Sequence, residues 1–369
     1  MTTTDLAIHH FIKIRLIDAS AGDTKAVTNQ LGVQVGTFEG EPDIIVRFVP
    51  KLEQKNPMRH LVMGAAGFTD EMFIAVEGDH KAWLSLDQIG HQCEIVCESG
   101  ASSVPQLVSV ANLTALSKGI MPIHASAFQF KGTGVLASGW PKGGKTSSLF
   151  AFLSNGAQFV SDDWLYVDHD GKVYPLLQPI KLHDWQLEHL PEFRSRISSS
   201  KLRKMTLVKA ADSLERKVPE SLREGFAPTQ AYHLMMRYLN KKQRHVYISP
   251  TKLFGDRATA PAAPFEKLFL TLSHKSPDIV VREMPLDAAL DKLVFSLMYE
   301  WQEFIAYYIQ FRYAFPERAN PVIDELEKRQ RELLATILAG KSIYMVHHPH
   351  PVPLDALFKA LSPYVTSGT

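Results

Sequence analysis

The segment at residues 139–146 reads Gly139-Trp140-Pro141-Lys142-Gly143-Gly144-Lys145-Thr146. It matches the pattern G-x-x-x-x-G-K-[ST] at every defined position, and it lies between an apolar run and the start of a helical pattern. Glycines in such a loop let the backbone bend until successive N–H groups point at phosphate oxygens, and the following helix adds the positive end of its dipole. The segment therefore predicts a phosphate-binding loop for ATP or a close relative. The alternative is a chance match in a glycine-containing turn.

Individual roles can be predicted for some residues of this loop. The expected nucleotide-binding set is Gly139, Trp140, Pro141, Lys142, Gly143, Gly144, Lys145, Thr146 and Ser147. Lys145 is expected to reach the β- and γ-phosphates, and the Thr146 hydroxyl is expected to bind Mg²⁺. Trp140 and Pro141 are unusual in such a loop, because bulk and a missing N–H both reduce the ways in which it can hold phosphate.

Two adjacent carboxylates, Asp162 and Asp163, follow the next predicted strand, at Gln158–Ser161. A strand that returns from the loop's helix is expected to end beside the phosphates. One carboxylate could then help to hold the metal, while the other accepts a proton from an attacking hydroxyl. The alternative is an Asp pair that serves a turn and a helix cap.

His124 precedes the loop in an extended run, residues 123–130, that is expected to pair with the loop's own strand. Such pairing would bring the imidazole near the same site. There it could neutralise charge on a phosphoryl group or orient the catalytic carboxylate. The alternative is a histidine whose hydrogen bonds are satisfied within the core.

Three segments in register around the loop resemble the HPr kinase/phosphorylase family, whose nucleotide domain is shared with phosphoenolpyruvate carboxykinases. They are Ile123-His124-Ala125-Ser126-Ala127, Gly134-Val135-Leu136 leading into the loop, and Val160-Ser161-Asp162-Asp163. The spacing from the histidine to the loop lysine and on to the acidic pair agrees with that family. The resemblance covers residues 105–185 and extends more weakly toward the C-terminus.

The resemblance implies a kinase that uses ATP and Mg²⁺ to phosphorylate a hydroxyl of a peptide, a protein or a small molecule. By position it implies that His124, Lys145 and Asp163 are catalytic, with Asp163 as the proton acceptor. Asp162 would support it and, with Thr146, hold the metal. The family's glutamate-arginine-glycine signature has no counterpart after Asp163, so the chain is more similar to diverged relatives such as lasso-peptide precursor kinases. The alternative is a non-catalytic nucleotide-binding regulatory module of the same fold.

The predicted fold is α/β, with a mixed sheet that contains the loop and is similar to that of phosphoenolpyruvate carboxykinases. Short runs of strand pattern predict a β-rich N-terminal region, antiparallel in its pairing, at residues 1–103. The kinase domain is expected at residues 104–369. Within it we expect a helical, basic insertion at about 183–255 and a helical C-terminal part with two long helices, 287–315 and 321–339.

The rest of the sequence narrows the partners and the location. No repeated interleaving of aromatic and basic residues indicates nucleic acid. No apolar stretch approaches the roughly 18 residues of a membrane span, and the N-terminus lacks the pattern of a secretory signal, which predicts a cytoplasmic protein with no membrane partner. The excess of Lys and Arg in residues 181–250 is interpreted as a solvated helical surface, with an acidic or phosphorylated partner as the alternative.

One pair of cysteines and one histidine-rich run consist of residue types that bind metals, and both are interpreted as structural. Cys93 and Cys97 lie on a predicted strand, about 13 Å apart, which is too far for a disulfide; buried thiols are expected. The run His347-His348-Pro349-His350 could hold a metal. Its prolines favour an extended surface loop in which adjacent side chains diverge.

Aromatic residues recur at three- and four-residue spacing in the first of the two long helices. They are Trp301, Phe304, Tyr307, Tyr308 and Phe311. This spacing predicts a stripe that faces the core. The alternative is a self-association surface, which would make the chain a homo-oligomer.

Overall fold

The computed structural model describes residues 2–52, 59–61, 66–77, 80–183, 186–187, 191–217, 245–255 and 263–366. The chain divides into two compact units. One contains Met1–Gln178 together with Thr259–Thr369, and the other is Pro179–Ala258. The architecture is mixed α/β, as the sequence predicts. The predicted domain boundary near residue 103 stays a prediction.

The strands of the described residues are numbered in chain order. They are β1 (Thr3–Ile8), β2 (Ile12–Ile17), β3 (Val35–Gly36), β4 (Ile44–Val49), β5 (Arg59–Leu61), β6 (Ala66–Phe68), β7 (Phe73–Glu77), β8 (His80–Leu84), β9 (Cys93–Glu98), β10 (Met121–His124), β11 (Ser126–Phe130), β12 (Thr133–Gly139), β13 (Gln158–Ser161), β14 (Trp164–Val167), β15 (Lys172–Pro175), β16 (Ile180–His183), β17 (His245–Ile248), β18 (Ala263–Pro264), β19 (Lys267–His274), β20 (Val280–Glu283) and β21 (Ser342–Pro349).

The α-helices are numbered in the same way. They are α1 (Ala21–Leu31), α2 (Leu107–Ser117), α3 (Lys145–Leu153), α4 (Pro191–Arg194), α5 (Ser199–Lys217), α6 (Pro250–Phe254), α7 (Leu286–Glu300), α8 (Gln302–Ala314), α9 (Pro321–Asp324), α10 (Leu326–Leu338) and α11 (Leu354–Thr366).

A nine-stranded sheet forms the N-terminal region, in the order β3-β1-β2-β4-β9-β8-β7-β6-β5. The prediction of a purely antiparallel layer is wrong, because β2 pairs with β4, and β4 with β9, in parallel. Helix α1, which the sequence analysis did not identify, makes such a parallel crossover feasible. Ser20 and Asp23 cap its start reciprocally, and this capping box is a recognisable sequence pattern.

The phosphate-loop segment lies in a six-stranded sheet with the order β13-β11-β12-β19-β21-β20. Strand β12 is central, and Val135, Leu136 and Ala137 are all buried, which is typical of a strand covered on both faces. It runs parallel to β19, and β19 runs parallel to β21. The carboxyl ends of these three strands therefore lie at one edge of the sheet, where the loop leaves β12.

Two chain segments pass side by side from one sheet to another. Strand β10 pairs with β14 in a four-stranded sheet, and β11 pairs with β12 and β13 in the six-stranded sheet. The predicted single strand over residues 123–130 is thus wrong: it is divided at Ala125. His124 lies on β10 and does not pair with the loop's strand. Because β13 leads into β14 at the same place, the two crossings still bring His124 beside the acidic pair.

The aromatic stripe faces the core, as predicted. Trp301, Phe304, Tyr308 and Phe311 are buried, and Tyr307 is half-buried. The predicted single helix from residue 287 to 315 is two helices, because α7 ends at Glu300 and α8 begins at Gln302. The expectation of buried thiols at Cys93 and Cys97 on β9 is confirmed, and the two cysteines form no disulfide.

The second unit contains a two-stranded sheet, β16 with β17, and helices α4, α5 and α6. Part of the predicted basic insertion, residues 218–244, lies outside the described residues. Across the described part of the chain, no helix combines the length and apolar character needed to cross a membrane.

Candidate functional site

The predicted phosphate loop has a glycine with a left-handed backbone at its start and another directly before α3. Gly139 has a φ of 125° and Gly144 a φ of 107°, values that residues other than glycine rarely adopt. Between them Lys142 also has a positive φ, of 61°, and the Gly143 N–H donates to the Trp140 carbonyl at 2.9 Å. The segment is therefore a tight turn that leads directly into α3 at Lys145.

The loop glycines leave no room for side chains. A Cβ at Gly139 or at Gly143 would lie 2.5 Å from the carbonyl oxygen of Thr271, on the neighbouring strand β19. A Cβ at Gly144 would lie 2.0 Å from Nε2 of His348. The loop thus rests directly on the ends of two parallel strands, which explains why glycine is needed at three of its positions.

The remaining loop residues lie on its outer side or at the start of α3. Trp140 is exposed and packs against Tyr299, with ring centroids 4.7 Å apart. Pro141 is half-buried, Lys142 is exposed, and Ser147 is buried in the first turn of α3. Trp140 and Pro141 therefore do not obstruct the turn that precedes the helix.

Lys145 begins α3 with a side chain that is only 10% exposed. Its ammonium group donates to the Gly139 carbonyl at 3.2 Å and lies 3.9 Å from Glu300 Oε1. Burial lowers the pKa of Lys145, although Glu300, Asp163 and Asp162 oppose this effect. The lysine is therefore held at the base of the loop, between the start of the loop and a carboxylate.

The two adjacent aspartates have different surroundings. Asp162 is buried and accepts hydrogen bonds from Ser126 Oγ at 2.5 Å and from Thr146 Oγ1 at 3.1 Å. Burial raises the pKa of Asp162 to about 6; Asp163 adds to the rise, and the bonds from Ser126 and Thr146 oppose it. Asp163, in contrast, keeps 58% of its side-chain surface exposed. Asp163 is therefore the carboxylate that a solvent-borne hydroxyl can reach.

The backbone at Asp163 is left-handed, with a φ of 76°, a conformation that Asp tolerates better than most residues. Its carbonyl oxygen accepts from the N–H of Ala125 at 2.8 Å. Ala125 and Asp163 each lie where their segment of the chain passes from one sheet to the other. This bond links the two crossings and holds the backbone of Asp163 in place.

His124 lies between two carboxylates. Its Nε2 is 2.8 Å from Asp163 Oδ1, and its Nδ1 is 2.5 Å from Glu300 Oε1. The contact with Glu300 is short but lacks the alignment of a hydrogen bond, so we treat it as an ion pair. Because each ring nitrogen faces an acceptor, the arrangement suits a doubly protonated imidazolium.

The pKa shifts agree with this charge arrangement. Burial lowers the pKa of His124, but Asp163 and Glu300 raise it by more, so that the net shift is upward. Desolvation by the surrounding protein raises the pKa of Asp163, but His124 and Lys145 lower it by more, so that the net shift is downward. Asp163, His124, Glu300 and Lys145 thus form a row of alternating charges beside the loop.

The side-chain oxygens beside the loop, and the loop itself, have the chemistry that Mg²⁺ and a nucleotide require. Thr146 Oγ1 and the Asp162 carboxylate are adjacent, and both are oxygen ligands of the kind that Mg²⁺ prefers. No cluster of three or more His, Cys, Asp or Glu residues that could hold a metal occurs within the described ranges. A two-ligand site fits Mg²⁺, because this ion usually keeps waters and binds substrate phosphates as well. The turn of glycines followed by a helix N-terminus fits phosphate.

The C-terminal histidine run is a surface loop only at His350, which is exposed beyond the strand, and the rest of the run differs from the prediction. Strand β21 extends through Pro349, and His348 is fully buried in it. Its Nε2 lies 2.7 Å from the Gly143 carbonyl oxygen. The prediction is wrong because Pro349, at the end of the strand, interrupts few ladder hydrogen bonds.

Two further residues of the site, Glu300 and Ser296, were not predicted from the sequence. Ser296 lies one turn before Glu300 on α7, and its hydroxyl donates to the Gly139 carbonyl at 2.8 Å. The pair is spaced so that both side chains face the same side of α7, but nothing in a single sequence links that face to the loop. In searches for relatives, no family model and no curated protein matches this chain.

Proposed function

We propose that this chain is an ATP-dependent phosphotransferase, similar to HPr kinases, that phosphorylates a hydroxyl of a peptide, a protein or a small molecule. In this proposal the six-stranded sheet is a P-loop nucleotide domain like that of phosphoenolpyruvate carboxykinases. The observation that carries it is the exposed Asp163 carboxylate, which pairs with His124 and interacts electrostatically with Lys145 at the base of a glycine turn. A base, a phosphate-binding lysine and a loop for phosphates are what transfer to an alcohol requires.

The protein's own residues would have separate roles. Residues 139–147 would hold the phosphates of ATP, with Lys145 leaving its Gly139 and Glu300 contacts to bind the β- and γ-phosphates. Asp163 would orient the acceptor hydroxyl and take its proton. His124, held as an imidazolium, would stabilise the negative charge of the transferred group.

Thr146 and Asp162 would hold the metal. When bound there, Mg²⁺ would neutralise phosphate charge and thereby favour transfer. The burial of Asp162 supports this division of roles, because a carboxylate that is bonded to Ser126 and Thr146 cannot easily reach an acceptor.

The proposal is tested by transfer of γ-³²P from ATP to candidate acceptors. Lys145→Ala and Asp163→Asn should each reduce the rate at least about 100-fold, the usual scale for a base or for a charge-stabilising group. Asp170→Asn is the matched control, since Asp170 is an exposed carboxylate on a turn away from the loop. Full activity in either site variant would contradict the mechanism.

The lowered pKa of Asp163 favours a second candidate, because a carboxylate paired with an imidazolium is a weak base. In this case the chain would be a nucleotide-binding regulatory module without chemistry. Asp163→Asn would then leave ATP binding and the biological output intact, while Lys145→Ala would abolish both. The two candidates therefore differ in the effect of one substitution.

A further inference from the structure

The buried His348 makes two contacts that the proposed chemistry does not use. Nε2 lies 2.7 Å from the Gly143 carbonyl oxygen, and Nδ1 lies 2.7 Å from the Pro349 carbonyl oxygen. A carbonyl oxygen only accepts hydrogen bonds, and a neutral imidazole carries a single N–H, so the ring donates to Gly143 in the tautomer that has its proton on Nε2. The side chain is fully buried, and losing a partner there would leave a polar group without water.

The contact with Gly143 fixes the direction of the next amide group. In a trans peptide the C=O of one residue and the N–H of the next point in opposite directions. With the Gly143 carbonyl directed at His348, the Gly144 N–H points away from the strand ends. Gly144 is the last residue before α3, where the N–H groups of a phosphate loop converge on the ligand.

A second contact ties the ring to the same place. The imidazole lies so close to the Gly144 Cα that a Cβ there would be 2.0 Å from Nε2 and 2.6 Å from Cε1. The ring therefore both bonds to the loop and fills the space under it. The backbone of His348 is held in the sheet, since β21 pairs in parallel with β19 over its whole length, including Ser273 with His348.

We propose that His348 is a positioning residue for the phosphate-binding loop. By donating to the Gly143 carbonyl it holds the Gly143–Gly144 peptide with its N–H turned toward bound phosphate. This inference rests on the proposed nucleotide site and adds a residue from the C-terminal part of the chain to it.

Two variants separate the hydrogen bond from the packing. His348→Gln keeps a side-chain N–H near the position of Nε2, whereas His348→Leu keeps bulk without a donor. Binding is measured by fluorescence titration with the N-methylanthraniloyl derivative of ATP in the presence of Mg²⁺. We expect the dissociation constant to rise about tenfold or more in His348→Leu and less than about threefold in His348→Gln. His347→Leu changes the preceding residue of β21, and it should bind the ATP derivative as tightly as the wild type does.

A second measurement does not depend on nucleotide. Hydrogen exchange of a peptide that covers residues 139–147 should be faster in ligand-free His348→Leu than in the wild type, and unchanged in His348→Gln. Equal binding and equal exchange in the wild type, His348→Gln and His348→Leu would overturn the proposal. Equal losses of ATP affinity in His348→Gln, His348→Leu and His347→Leu would overturn it as well. A wild-type protein that binds no Mg·ATP would overturn the proposed function instead, and the exchange result would still decide whether His348 holds the loop.

Discussion

Glu300 Oε1 lies 2.5 Å from His124 Nδ1, so that the last residue of α7 contacts the end of β10. The same oxygen is 3.9 Å from the ammonium group of Lys145. A single carboxylate thus faces two of the residues predicted to be catalytic. It balances their charges, because the imidazolium and the ammonium would otherwise repel each other at close range.

We expect Glu300→Gln to lower the pKa of His124, since a carboxylate that raises it would be lost while burial would still lower it. Loss of this orienting partner should also slow phosphoryl transfer by roughly tenfold. The pKa is measured by NMR titration of the His124 ring, and the transfer rate is measured as ³²P moved from γ-³²P-ATP to the acceptor. Glu303→Gln changes an exposed carboxylate on the next helix and should alter neither quantity. An unchanged pKa in Glu300→Gln would show that the ion pair is absent in solution.

The His124–Asp163 pair predicts a pH-dependent free energy of unfolding. The folded pKa of His124 is raised above 6.5, so its contribution is complete below pH 6.5 and is lost as the pH rises through the folded value. The folded pKa of Asp163 is lowered below 3.8, so its contribution is present above that pH and is lost as the pH falls through the folded value. The pair should therefore stabilise the fold most between about pH 4 and pH 6.5.

Urea unfolding at about pH 5.5 and about pH 8.5 tests this window. The difference in unfolding free energy between the wild type and His124→Gln should be larger at the lower pH. His169→Gln is the control, because His169 is 74% exposed on a turn, and its effect should be small at both pH values. A larger effect of His124→Gln at the higher pH would contradict the charged state of the ring.

The local part of the site could be predicted from the sequence, and its long-range part could not. The glycine pattern, Lys145 and Asp163 lie within one strand-loop-helix-strand unit, where spacing alone determines which side chains meet. Glu300 and His348 come from elements more than a hundred residues further along the chain. Their approach depends on how helices and strands pack, which one sequence does not specify.

The division of residues 123–130 between two sheets could not be predicted either. Both halves are extended and buried at most positions, so hydrophobic pattern and strand propensity are the same on each side of Ala125. What separates them is a choice of pairing partners, β14 for one half and β12 for the other. Such a choice is made by tertiary contacts rather than by local sequence.

Gly144 should not tolerate a side chain, for two independent reasons. Its φ is 107°, and a Cβ would lie 2.0 Å from His348 Nε2. Gly156→Ala is the matched control, because Gly156 also has a positive φ, of 89°, but has open space around it. The control should lower the unfolding free energy by only about 1–2 kcal/mol, the scale of left-handed strain.

Gly144→Ala should lower the unfolding free energy by more than Gly156→Ala does, and it should also abolish binding of Mg·ATP. Urea unfolding and fluorescence titration with the N-methylanthraniloyl derivative of ATP measure the two effects. If Gly144→Ala were as stable as Gly156→Ala and still bound Mg·ATP, the loop would have a conformation other than this tight turn against His348.

The adjacent aspartates should respond to Mg²⁺ in different ways. Asp162 contacts the Thr146 hydroxyl at 3.1 Å and is buried, whereas Asp163 is exposed and pairs with His124. We expect Asp162→Asn to raise the Mg²⁺ concentration for half-maximal transfer roughly tenfold or more, because one charged oxygen ligand becomes neutral. Asp163→Asn should lower the maximal rate and leave the Mg²⁺ requirement unchanged. Transfer rates measured across a Mg²⁺ series, with EDTA as the zero point, separate the two effects, and the reverse pattern would exchange the roles of the two carboxylates.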